Sequence, residues 1–142
     1  PGTWCSFNNQ NTSTSRELTQ VYFTPIAGQR NSDIWTSFVI CKLVEQKGEV
    51  VMFGNPFVKQ LRNEHDLWDD LRIKFESNRA TDVFVDLLGK VQLKGSSYKE
   101  LLDDLITKVL NKLPEMDDLE ESQAEMIRDY FKEYKVWSET FD

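Results

Sequence analysis

From Ser97 onward the apolar residues fall into a helical period, and this limits what the chain can fold into more than any other feature. Ser97-Tyr98-Lys99-Glu100 has the S-x-x-E form of a capping box. Tyr98, Leu101, Leu102, Leu105, Ile106, Val109, Leu110 and Leu113 follow at i, i+3, i+4 and i+7. That spacing puts them on one face of a helix, and Pro114 stops it. A second helix is expected with Asp117 or Asp118 as its cap, carboxylates being favoured at the positive end of the helix dipole. Its apolar stripe runs Leu119, Met126, Ile127, Tyr130, Phe131, Tyr134 and Trp137, with Phe141 as a further candidate. The two helices are expected over about 97–113 and 117–139.

The earlier sequence reads differently. Residues 6–15, SFNNQNTSTS, bury too little apolar surface to offset their ordering entropy. Residues 1–16 are therefore expected to be a flexible polar lead-in to one domain over 17–142, with Trp4 and Phe7 docking onto the body. Leu18 to Phe23 and Ile34 to Val44 have the β-branched and aromatic character of strands. Glu45-Gln46-Lys47-Gly48 reads as a hairpin turn with Gly48 at positive φ, and Glu49 to Phe53 as the returning strand. A short helix is expected from near Asn55, with Leu67, Trp68 and Leu71 continuing a helical spacing up to Asp70. Leu71, Ile73 and Phe75 alternate with charged residues, as do Val83, Val85 and Leu87 with their neighbours, which is a strand's period of two. Gly89 then marks either a bulge in one long strand to Leu93 or a tight hairpin.

The resulting order, β-β-β-α-β-β-α-α, predicts an α+β fold: a small antiparallel sheet or partly open barrel of about five strands, followed by two amphipathic helices. A barrel with a helix between its third and fourth strands has the order of an OB-fold, which binds oligonucleotides.

Charge is unevenly placed. Residues 1–99 carry 12 Lys/Arg against 11 Asp/Glu, and residues 100–142 carry 5 against 13, so the net −7 comes from the C-terminal stretch. No apolar run approaches the roughly 18 residues of a membrane span. No leader pattern is visible, and the expectation is a soluble chain, intracellular rather than secreted. Cys5 and Cys41 are too few for a disulfide scaffold; they form one bridge or remain two thiols, with Cys41 in the core as the favoured reading.

Catalytic signals are weak. The one histidine, His65, shares a helix face with Asp69 at i, i+4, but a zinc site takes three or four ligands, and no Cys or second His stands at metal spacing. Glu45-Gln46-Lys47 has the E-x-K form of some metal-dependent nucleases, yet it sits at a turn rather than on a central strand. Nucleophile elbows and phosphate loops are absent. The expectation is a non-enzyme with no cofactor and no metal.

Two functions follow. The first is a non-catalytic protein-interaction module, such as an adaptor, complex subunit or inhibitor. It would use the acidic, aromatic C-terminal helix, with Tyr130, Tyr134, Trp137, Glu120 and Glu121 meeting a partner protein with a basic surface. The alternative is an OB-like subunit that binds single-stranded nucleic acid, stacking bases on Trp35 and Phe57 among Lys42, Lys59 and Arg62.

Overall fold

A computed structural model of the chain describes residues 3–55, 58–59, 61, 64, 66–116 and 119–141. Among these residues there is no strand and no sheet. The fold is all-helical: α1 (Arg16–Thr19), α2 (Ser32–Gln46), α3 (Leu67–Lys90), α4 (Tyr98–Lys112) and α5 (Glu121–Ser138), with 3-10 turns at Ile26–Asn31, Leu113–Glu115 and Glu139–Phe141. The expected α+β sheet or five-stranded barrel is thereby overturned, and the OB-like order with it.

Each strand assignment fails for a physical reason. Ile34 to Val44 lies within α2, the central helix. Trp35, Val39, Ile40, Leu43 and Val44 are all buried there, and so are Thr36, Ser37, Cys41 and Lys42 on the remaining sides. A helix covered all round has a continuous apolar run instead of a 3.6 period, and such a run looks like a buried strand. Gly48 does adopt positive φ, at 71°, but in the service of a helix end. Its N–H bonds the Glu45 carbonyl at 3.0 Å and the Glu49 N–H bonds the Val44 carbonyl at 2.8 Å. These are the paired bonds of a Schellman cap, so α2 terminates where a hairpin was expected. Glu49 to Phe53 then has no strand partner. Leu18 begins no strand either: it sits in α1, whose N–H at Leu18 is capped by the Ser15 hydroxyl at 3.3 Å.

The helix expected from Asn55 falls largely on Pro56, Phe57 and neighbours outside the described residues. Leu71 to Phe75 and Val83 to Leu87 both belong to α3, a single helix of 24 residues, about 36 Å long at 1.5 Å per residue. Asp66 starts it, its carboxylate accepting from the N–H groups of Trp68 at 2.8 Å and Asp69 at 3.4 Å. Val91 and Leu93 lie buried in the link to α4.

α4 opens on the capping box: Ser97 Oγ accepts from the Glu100 N–H, and the Glu100 carboxylate reaches back to the backbone before the helix. Glu100 Oε2 accepts from the N–H of Ser96 at 2.7 Å and of Ser97 at 3.2 Å, and from the Ser96 hydroxyl at 2.7 Å. Those donors hold the Glu100 carboxyl down to about 2. α5 begins at Glu121; Asp117 and Asp118, the expected caps, lie outside the described residues.

The core joins α2, α3, α4 and α5 in one cluster. At its centre Trp35 of α2 stacks on Phe84 of α3 at 4.4 Å, and both meet Tyr130 of α5 edge-on at 5.3 and 5.5 Å. Phe131 extends the stack from Phe84 at 5.7 Å. Such aromatic pairs add about 0.5–1.5 kcal/mol each beyond their area burial. The buried ring N–H and O–H groups of this cluster are satisfied: Trp35 Nε1 donates to Thr81 Oγ1 at 2.9 Å, and Tyr134 OH to the Val21 carbonyl at 3.2 Å. The Thr36 hydroxyl meets both the Phe23 carbonyl and Tyr130 OH.

The 3-10 turn approaches this centre closely at Gly28. A Cβ there would lie 2.7 Å from Ser32 Oγ and 3.2 Å from the Tyr130 ring. Glu133 of α5 clamps the same turn, its carboxylate accepting from the N–H groups of Ile26 at 2.5 Å and Ala27 at 3.2 Å.

Candidate functional site

The aromatic stripe expected to face a partner is mostly interior. Tyr130 and Tyr134 have no exposed surface, and burial pushes both phenols well above their ordinary range. Their rings are used to hold α5 against α2 and α3. Trp137 is half-buried, stacked on Phe23 at 4.9 Å, with Nε1 donating to the Gln20 carbonyl. The two acids named with them diverge. Glu120 takes both guanidinium nitrogens of Arg79, tying the start of α5 to α3. Glu121 is exposed, 3.7 Å from Arg128 on its own helix. These five residues are not gathered into one exposed face.

The nucleic-acid set is likewise divided. Trp35 is fully buried, and Lys42 is buried with Nζ 5.7 Å from the centre of the Trp4 ring. Burial lowers the Lys42 ammonium below its ordinary value, against a smaller opposing effect of Glu45. A base cannot stack on either. Lys59 is exposed, while Phe57 and Arg62 lie outside the described residues. So does His65, the one histidine. Among the described residues no group of three Asp, Glu, His or Cys side chains is placed to hold a metal ion, and no helix is long and apolar enough to cross a membrane.

The unusual surface lies at the start of α3. From residue 77 on, this helix is ordinary: Ala80, Phe84, Leu87 and Leu88 share one face and are buried. Its first three turns expose large apolar side chains. Leu67 is 72% exposed, Trp68 78%, Leu71 50% and Phe75 55%. At 100° per residue, positions 68, 71 and 75 point away from the side that carries Phe84 and Leu87. This is the outward side, where Asn78, Asp82 and Asp86 continue the same helix in polar residues. Trp68, Leu71 and Phe75 border a shallow depression of about 520 Å³ together with Arg72 and Glu76.

Both ends of this stripe are held. At the amino end the Asp66 cap and the carboxylates of Asp69 and Asp70 stabilise the helix terminus. Asp70 is also paired with Arg30 at 2.9 Å, which links the exposed turns to the 3-10 segment over the core. At the other end Arg79 lies 5.8 Å from the centre of the Phe75 ring while holding Glu120. The rim is acidic. Residues 64–76 contain Glu64, Asp66, Asp69, Asp70 and Glu76 against Arg72 and Lys74.

Sequence reasoning missed this surface, although Leu67, Trp68 and Leu71 carried its helical spacing. The signal was masked by Ile73. It lies toward the core side of α3 at 39% exposure, while Leu71 and Phe75 face outward. Apolar residues on two opposite sides of a helix alternate along the sequence as they do in a strand.

Comparison with protein families, with curated proteins and with solved structures finds no match to this chain.

Proposed function

We propose that this protein is a non-catalytic interaction module that binds an amphipathic, basic helical segment of another protein on the first three turns of α3. The observation that carries this reading is the outward stripe Trp68, Leu71 and Phe75, at i, i+3 and i+7 on a capped helix. An isolated exposed apolar side chain needs no explanation, but a helical row of them with two aromatic members matches how one helix receives another. Trp and other aromatic anchors also supply a disproportionate share of binding energy at interfaces.

Charge selects the occupant. The net acidic charge of residues 64–76 and of the whole chain favours a partner whose apolar row is flanked by Lys and Arg, and it speeds encounter with one. A second copy of this chain fits less well, because each copy brings a net charge of −7. The partner class expected from the sequence, a protein with a basic surface, is retained; the surface that receives it moves from α5 to α3.

The test uses two synthetic amphipathic helices of equal length, one Leu/Lys and one Leu/Glu, titrated into the full chain while tryptophan emission is followed. The Leu/Lys peptide is expected to bind, shift the exposed tryptophan emission to shorter wavelength and shield it from acrylamide. Leu71→Ser with Phe75→Ser retains every charge and is expected to weaken binding at least about tenfold, the equivalent of about 1.4 kcal/mol. Equal binding of both peptides, or unchanged binding by the double variant, overturns the proposal. Concentration-dependent self-association that the double variant abolishes assigns the face to a second copy instead.

A further inference from the structure

The amino-terminal segment crosses the surface of α2 and brings the two cysteines of the chain together. Cys41, in the middle of α2, is buried, and its Sγ lies 3.7 Å from the carbonyl oxygen of Cys5. Cys5 is exposed, and both are free thiols. The segment is seated on either side of Cys5: Trp4 lies over Lys42, and Phe7 packs against the core. Further along, Asn9 Nδ2 bonds Thr24 Oγ1 at 3.4 Å. Residues 6–8 and 11–15 then form one wall of a cleft of about 700 Å³, whose opposite walls include Ile40 and Val44 of α2 and residues 49–55. Residue 5 is thus the point where the wall meets the helix.

We infer that Cys5 and Cys41 form a reversible disulfide latch that fastens the amino-terminal wall of this cleft to α2 under oxidising conditions. The geometry divides the roles. Cys5, exposed, is the thiol that a soluble oxidant reaches; Cys41, buried behind it, is the one that resolves the adduct.

With a low-molecular-weight disulfide such as oxidised glutathione as the oxidant, the chemistry is two exchanges. The Cys5 thiolate attacks one sulfur of the reagent, forming a mixed disulfide and expelling the other half as a thiol that takes up a proton. The Cys41 thiolate then attacks Cys5 Sγ, forming the Cys5–Cys41 bond and releasing the second half, again as a thiol. Two protein thiols are oxidised, and one reagent disulfide is reduced to two thiols. Burial raises the Cys41 thiol above its ordinary value. The second exchange therefore quickens as pH rises.

The bond would close a loop between positions 36 residues apart. Removing that freedom from the unfolded chain is expected to raise Tm by about 5–10 °C. It also stops the wall from lifting, so tryptic cleavage at Arg16 should slow by about tenfold.

The experiment incubates the full chain in oxidised and reduced glutathione, followed by intact mass, peptide mapping and limited trypsin digestion. The expected product is monomeric, lighter by two hydrogen atoms, with a Cys5–Cys41 cross-linked peptide, and it cuts more slowly at Arg16. Cys5→Ser, an exposed substitution that leaves the core intact, should abolish all three changes, and reduction should reverse them in the parent chain. A persistent glutathione adduct on Cys5 with Cys41 still a thiol, or a disulfide-linked dimer through Cys5, overturns the latch. A cross-linked product whose cleavage at Arg16 is unchanged overturns its role in holding the wall.

Discussion

α3 and α5 each carry aromatic side chains at helical spacing, and the fold treats them oppositely. Tyr130, Phe131 and Tyr134 on α5 are fully enclosed, while Trp68 and Phe75 on α3 stand mostly in solvent. What differs is the company each row keeps. α5 lies against α4, α3 and the 3-10 turn, with Glu133 and Glu120 bonding across to the turn and to Arg79. The first three turns of α3 are tied to the 3-10 segment through Asp70 and Arg30, and their outward row is left exposed. Apolar periodicity therefore identifies a face that wants to be covered without saying whether the chain itself covers it.

That contrast can be broken at several points. The largest effect is expected on α5. Phe131→Ala removes a fully buried ring from the Phe84 stack and should cost about 3–5 kcal/mol in urea or thermal unfolding. A loss under 1 kcal/mol would mean that α5 is not the enclosed member of the pair. Next is Thr36→Val, which deletes the hydroxyl shared by the Phe23 carbonyl and Tyr130 OH. Leaving those buried groups short of a partner should cost about 1–3 kcal/mol. Asp66→Ala removes the cap of α3 and is expected to cost about 1 kcal/mol. It should raise amide exchange over residues 67–76 well before it affects α5. The smallest change in stability belongs to Leu71→Ser with Phe75→Ser. On an uncovered face the pair should stay within about 0.5 kcal/mol of the parent while losing the peptide binding described above.

Acid titration sharpens the picture at the start of α4. The Glu100 carboxyl stands near 2 in the folded chain against an ordinary 4.5, because it accepts from the Ser96 and Ser97 backbone and the Ser96 hydroxyl. A carboxyl lowered by folding stabilises the fold above its unfolded value and loses that contribution as pH falls through the folded one. Stability should therefore decline between about pH 4.5 and 2, and Glu100→Gln should flatten that part of the profile. An unchanged slope would remove the capping box from the account.

How much of this was legible in the sequence varied with how one-sided each helix is. α4 was readable because one face is apolar, the other is charged, and Ser97 and Glu100 announce its start. α2 was not, because residues on nearly every side of it are covered and no period survives. Gly48 was correctly expected at positive φ, but one residue's backbone conformation does not separate a hairpin from a helix cap; the bonds from Gly48 and Glu49 back into α2 do. In α3 the misleading alternation at Leu71, Ile73 and Phe75 was itself the trace of the candidate surface, since it arises from apolar residues on opposite sides of one helix. Tyr130 and Tyr134, expected at a partner contact on α5, are buried in the core, and in sequence they look the same whether a partner or the protein's own core receives them.

The most direct test of the central claim is amide hydrogen exchange of the full chain with and without the Leu/Lys peptide, read separately over residues 67–76 and 127–137. The account predicts that residues 67–76 exchange faster than 127–137 in the free chain and become protected on binding, while residues 127–137 are protected throughout and do not change. Protection gained over 127–137, with none over 67–76, would contradict it and return the interaction surface to α5.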